Sequence, residues 1–265
     1  MARLREMGYH FVSLREAIDV ALDRGTPALP AVAITIDDGC KSVATRAVPI
    51  MSRLGCKATV FVTTDPAAYV FQTGGPEQSR LSDAELASLD PNLFEIGAHG
   101  HTHRPLTTLP DAELAVELQT CRERLERVTG RPVTSLAVPG GWYDRRVARA
   151  ARAAGFEAVV VSEPGLIRPG SDVLRLPRLN VSGRDSVEAL IRKLSPASIA
   201  RRRWVAALTR IPGRILGPRR WMLVRKGLRQ GPLGDLLGGR AVIGGVLGLV
   251  LLAGWALVRW LGGRG

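Results

Sequence analysis

Apolar, largely β-branched runs at 31–36, 57–63, 93–97, 134–138, 157–162 and about 174–181 predict strands. Between them, stretches with helical spacing fall at 13–24, 41–54, 82–89, 111–128, 143–154 and 186–194. Ahead of these, residues 1–10 read as the end of a helix leading into a strand. Local signals support several boundaries. Ser13 stands three residues before Glu16 as a capping box, and Asp111 opens a run whose Leu114, Leu118, Leu125 and Val128 share one apolar face. Gly130, followed by Arg131 and Pro132, ends that run. Strands alternating with helices imply repeated βα units around a parallel sheet. The alternation does not by itself separate a barrel from an open, doubly wound sheet.

The first strong chemical signal lies where one strand ends. Ile34-Thr35-Ile36 delivers two adjacent carboxylates, Asp37 and Asp38, to the turn at Gly39. Neighbouring anions raise one another's pKa unless a cation neutralises one of them, so the pair predicts a metal ion or a shared proton. Three of the four histidines fall within Glu95–His103, with His99 and His103 four positions apart. On one helical turn that spacing sets both imidazoles on one face, with His101 on the other, suited to solvent or an outer-shell role. Two histidines and one carboxylate form a metal-binding face that leaves positions open for water and substrate, as catalytic zinc requires and other divalent metals accept. One aspartate is then a ligand and the other is free to act as a base.

Thr-x-Asp-Asp-Gly, then His-x-x-x-His about sixty residues on, then Pro139-Gly140 after a further strand: this order resembles the polysaccharide deacetylases of the NodB-homology type, carbohydrate esterase family 4. The resemblance covers residues 1 to about 195 and is nearest the rearranged branch that acts on poly-N-acetylglucosamine, with an apparently short amino terminus. It implies a distorted, incomplete (β/α) barrel of parallel strands. It also implies that Asp37 is the general base and that Asp38, His99 and His103 hold the metal, Zn2+ by expectation, with Co2+ or Ni2+ as alternatives. The third family motif, Arg-x-Pro-x-Gly, matches Ala137-Val138-Pro139-Gly140-Gly141 without its arginine. Arg178, in Arg175-Leu176-Pro177-Arg178, is the candidate to orient Asp37 in its place. The backbone N–H of Gly140 is the candidate oxyanion donor. Pro139, Trp142 and Tyr143 are the candidate substrate contacts.

The family also uses a histidine as general acid on the departing amine. No histidine follows His103, and Tyr9-His10 sits in Gly-Tyr-x-x-Val-Ser-Leu, which reads as a strand rather than as the acid-bearing segment. The expected activity is therefore metal-dependent removal of acetyl groups from N-acetylhexosamine units of a polysaccharide or glycolipid. The alternative is a catalytically impaired carbohydrate-binding protein of the same fold. Cys40, Cys56 and Cys121 have no common spacing and imply neither disulfides nor a zinc ribbon.

The net charge of +13 suggests nucleic acid until it is located. Of 37 basic residues 13 lie in 201–265, with only one of the 24 acidic ones, so the domain ahead of them is nearly neutral. Arg201-Arg202-Arg203-Trp204 and Arg219-Arg220-Trp221 suit an anionic membrane surface. Residues 241–258 carry no charge and are long enough to cross a bilayer. The organisation expected is thus a deacetylase domain over 1–195, a basic juxtamembrane linker over 196–240 and a transmembrane helix over 241–261, with the lipid bilayer rather than nucleic acid as partner. The arginines on the amino side of the span place the domain on the cytoplasmic side, or else a segment upstream of Met1 lies outside this chain.

Overall fold

The structure, a computed structural model, describes residues 1–25, 29–72, 75–183 and 185–216, with side chains through Ala206. Met1–Ile199 forms one compact unit, separate from the residues that follow it. The elements begin with α1 (Ala2–Glu6), β1 (His10–Val12), α2 (Leu14–Ala21), β2 (Ala31–Ile36), α3 (Val48–Leu54), β3 (Ala58–Val62), α4 (Tyr69–Gln72) and α5 (Asp83–Ala87). They continue with β4 (Phe94–Ala98), α6 (Asp111–Thr129), β5 (Ser135–Ala137), α7 (Arg145–Ala153), β6 (Ala158–Val161), β7 (Leu176–Pro177), α8 (Val187–Leu194) and α9 (Pro196–Leu216).

Each strand pairs in parallel with the next, in the order β1-β2-β3-β4-β5-β6-β7. A doubly wound sheet reverses its strand order at a switch point, whereas a barrel keeps strands in sequence. Strict sequential order settles what the alternation alone left open. Among the described residues β7 does not pair with β1, so the barrel is incomplete.

Period-2 alternation along the strands feeds two separate cores. Val60, Val62, Leu136, Val138, Val159 and Val161 pack with Leu114, Leu118 and Leu125 of α6 and Val147 of α7. The intervening residues Phe61, Ala137, Ala158 and Val160 face the other way and pack, with Leu176, against Leu14, Ala17, Ile18 and Ala21 of α2. Burying each such Val, Leu or Phe is worth about 1.5–3 kcal/mol relative to exposure. Helix α2 starts at the expected capping box: the Ser13 hydroxyl accepts the Glu16 N–H at 3.1 Å and the Glu16 carboxylate accepts the Ser13 N–H at 2.7 Å. Helix α6 ends at Gly130, which at φ 65° is left-handed and donates its N–H to the Glu126 carbonyl.

The differences from the pattern reading are local. The helix expected over 41–54 opens with a π-turn at Val43–Ala47, and the strand expected near 174–181 narrows to two residues after a 3-10 turn at Val173–Arg175. The region read as a basic linker begins as helix α9, on which Trp204 is exposed. The span expected over 241–261 lies outside the described residues; among those described, no helix is long and apolar enough to cross a membrane.

Gly97 in β4 shows how tightly one core is filled. A Cβ there would stand 2.4 Å from the Phe61 ring and 2.8 Å from the Ser135 hydroxyl. Gly97→Ala is therefore expected to lower unfolding stability by about 1–3 kcal/mol through overpacking, measured by urea denaturation. An unchanged midpoint would contradict that packing.

Candidate active site

The sequence-predicted residues converge at the carboxyl ends of the strands, where parallel barrels build their sites. Asp37 and Asp38 follow β2, His99 follows β4, Pro139 and Gly140 follow β5, and Arg178 follows β7. Asp38 turns the chain with φ 72° and Gly39 continues with φ 74°. Aspartate tolerates that left-handed region better than most residues. At Gly39 a Cβ would also meet the Val62 side chain at 2.8 Å, so glycine is required twice over. Strand β3 anchors the loops on either side of it. The Thr63 N–H donates to the Asp38 carbonyl at 3.1 Å, the His99 N–H to the Val62 carbonyl at 2.9 Å, and the Thr63 hydroxyl to the His99 carbonyl at 3.2 Å.

The two histidines meet without a helix. Residues 99–103 form an irregular loop, contrary to the single helical turn expected from the spacing, with Gly100 at φ 79° and His103 at φ 60°. These left-handed residues fold the loop back so that the rings stand 5.0 Å apart. Both Nε2 atoms face one oxygen, Oδ1 of Asp38, at 3.6 Å from His99 and 3.2 Å from His103. One ligand atom from each of the three residues lies within 4.8 Å of the other two. His101 points elsewhere, its Nδ1 paired with the Thr64 hydroxyl at 2.8 Å.

This cluster fits a divalent cation. Buried His99 donates its Nδ1–H to the Ala137 carbonyl at 2.7 Å, which leaves the Nε2 lone pair aimed at Asp38. Burial pushes the His99 pKa down, so its imidazole is neutral near pH 7, as a metal ligand must be. Two imidazole nitrogens and a carboxylate oxygen form the donor set of an open catalytic site.

Asp37 has a different partner. Arg178 donates Nη1 to Oδ1 and Nη2 to Oδ2, each at 2.6 Å, and Nη1 also reaches the Thr35 hydroxyl at 3.1 Å. Burial raises the Asp37 carboxyl, but His99 and the guanidinium more than offset it, and the net holds Asp37 below the usual carboxylate range. With His99 neutral, the bidentate guanidinium is the effective partner near pH 7. Arg178, the residue after β7, thus contacts both carboxylate oxygens of Asp37.

The remaining candidates are also placed. Pro139 is buried, while Gly140 is exposed at φ 64° within the turn Pro139–Gly141. The Trp142 ring lies beside Gly140, within 3.0 Å of where a Cβ would stand. Tyr143 is half-buried, with the Arg175 guanidinium 5.8 Å from its ring centre and Arg175 in turn paired with Glu163 at 3.0 Å. His10 begins β1 at the amino end of the sheet, exposed and on the side away from the cluster. Burial and Asp38 push the Cys40 thiol up to about 11, which keeps it protonated and unreactive. Sequence reasoning missed Glu117, a buried carboxylate on α6 that accepts bonds from Thr102. The available signal was an acid interrupting the apolar face of Leu114, Leu118, Cys121 and Leu125.

A parallel, incomplete barrel carrying an Asp-His-His cluster beside a clamped carboxylate defines a hydrolase-type site. The polysaccharide deacetylase family model matches residues 24–159, and the chain belongs to that family. It is 23% identical over 182 residues to the Bacillus subtilis (strain 168) protein YxkH, itself named as a polysaccharide deacetylase; the match covers 69% of this chain and 62% of that protein. The chain therefore spans less than two thirds of the length of that relative. Among solved structures, the deacetylase PplD of Streptococcus pyogenes, in complex with acetate, is 20% identical with a TM-score of 0.65, covering 74% of this chain and 84% of its own. IcaB from Ammonifex degensii is 24% identical with a TM-score of 0.62, covering 71% of this chain and 83% of its own. At these identities both likenesses are of fold.

The Arg178–Asp37 pair makes a prediction with a definite sign. A carboxyl held below its unfolded pKa stabilises the fold fully above about pH 3.9, and the contribution is lost as pH falls through the lowered native value. Arg178→Met should cost about 2–3 kcal/mol at pH 7, discounted from a fully buried pair because Asp37 is one-third exposed. The gap to wild type should close on acidification in urea unfolding at stepped pH. A gap independent of pH would contradict the pairing.

Proposed function

We propose that the protein is a metal-dependent carbohydrate N-deacetylase that hydrolyses the acetamide of N-acetylhexosamine units in a polysaccharide or glycolipid and releases acetate. The observation that carries the reading is the division of labour in one turn: Asp38 Oδ1 faces both imidazoles, while adjacent Asp37, 3.9 Å from His99, is clamped by a guanidinium at 2.6 Å. Asp38, His99 and His103 would hold the cation, Zn2+ by donor set, with Co2+ or Ni2+ also compatible. When bound, the cation supplies charge that acidifies water and polarises an amide carbonyl. Asp37, kept anionic by Arg178, accepts the proton of the attacking water. Exposed Gly140 lies in the turn that follows β5, and its N–H would stabilise negative charge developing on the acetyl oxygen. Trp142, beside Gly140, Pro139 in the same turn and Tyr143, which Arg175 overlies, would contact the sugar.

The amine leaving group needs a proton, and the histidines offer no clear donor. His10 stands at the other end of the sheet, His101 is bonded to Thr64, and the other two belong to the cluster. That observation favours a second reading, a glycan-binding protein with the same fold and metal site but little turnover. The uncharged run 241–258 and the basic residues before it support a single-pass membrane anchor, with the charge distribution favouring a cytoplasm-facing domain.

Zinc-loaded protein is expected to release acetate from N-acetylglucosamine oligomers. Asp37→Asn should bind Zn2+ but lose about a hundredfold or more in rate, while Asp38→Ala should lose metal and activity together. Tight glycan binding without acetate release would support the second reading. Wild type that binds no divalent metal would overturn both.

A further inference from the structure

We infer that Glu117 of α6 is a positioning residue whose hydrogen bonds to Thr102 set the His99–His103 loop and thereby the site's affinity for a divalent cation. The inference rests on the metal reading above. Glu117 is only 6% exposed. Its carboxylate accepts the Thr102 backbone N–H at 2.7 Å and the Thr102 hydroxyl at 3.0 Å through Oε1 and 2.9 Å through Oε2. Oε1 also lies 3.0 Å from where a Cβ on Gly100 would stand, so the carboxylate fills the space under the residue that follows His99. One acidic side chain thus grips the loop next to both ligands.

Physical chemistry gives this contact a purpose beyond packing. Among the described residues no cation pairs with Glu117. A buried carboxylate without a cation is costly, and a leucine in its place would continue the apolar face of α6. What the carboxylate adds is a charge-assisted bond to an N–H, stronger and more directional than a neutral one. The bonded N–H belongs to Thr102, and the next residue, His103, sits at φ 60°, a region that a non-glycine residue holds only when its surroundings fix it. Helix α6 braces the neighbouring strand end as well, with Cys121, one turn beyond Glu117, donating its thiol to the Val62 carbonyl at 3.6 Å.

The test is Zn2+ affinity, measured on the full chain by titration against a competing chelator. Glu117→Ala is expected to weaken Zn2+ binding by roughly 10–100-fold, the usual cost of removing a partner that orients a ligand. Glu117→Gln, which can keep both bonds to Thr102 but not the charge, is expected to fall between Glu117→Ala and wild type. Thr102→Val removes the hydroxyl bond alone and is expected to weaken binding by less than Glu117→Ala; this milder variant decides the matter if Glu117→Ala does not fold. Wild-type affinity in both Glu117→Ala and Thr102→Val would overturn the inference, as would a Gln variant weaker than the Ala variant. Wild type that fails to bind Zn2+ would overturn the metal reading beneath it, which is a different result.

Discussion

Two carboxylates on consecutive residues cannot both be left facing one cleft without separate counter-charges. The structure meets that constraint by turning them toward different partners. Asp37 is clamped by Arg178, just after the last strand, and Asp38 faces the imidazoles that follow the fourth, where a cation would supply its counter-charge. The turn between them requires a left-handed Asp38 and a glycine after it. The sheet must bring β2, β4 and β7 to one end, which strictly parallel, sequential strands do. On the proposed function, that charge split separates a base that stays ionised from a carboxylate free to bind metal.

Strand β3 has a less visible part in this. It contributes no side chain to the cluster, yet it lies between the two strands that do. Neighbouring strands are spaced by about 4.8 Å, so the Asp and His loops leave the sheet roughly 10 Å apart and must lean toward each other. Hydrogen bonds from Thr63 to Asp38 and to His99 bring both loops over the end of β3. Left-handed residues at Asp38 and His103 cost on the order of 1 kcal/mol or more each, and these surrounding bonds hold them there.

Most of the architecture was legible because the signals are local. The 2.0 and 3.6 periods, the Ser13 capping box and the Gly130 stop each act within a few residues, and the elements fall where those signals put them. The residues that converge were legible from types and order. Their geometry was not: the four-residue spacing of His99 and His103 implies a helical turn only if the backbone is helical, and two left-handed residues make it a folded loop instead. Arg178 and Glu117 show the other limit. Arg178 lies 141 positions from Asp37, a pairing that no local period can reveal and that only the family resemblance suggested. Glu117 could be seen only as an acid on an apolar face, with nothing local to show that it reaches Thr102. The membrane span, read from composition alone, lies outside the described residues.

The central claim is that one turn holds a ligand and a base side by side. It is tested most directly by anomalous diffraction from a zinc-soaked crystal of the protein. The account predicts an ion bonded at about 2.0–2.2 Å to Asp38, His99 and His103, with Asp37 still paired to Arg178. An ion bonded to Asp37 in place of Asp38, or one that breaks the Asp37–Arg178 pair, would contradict it.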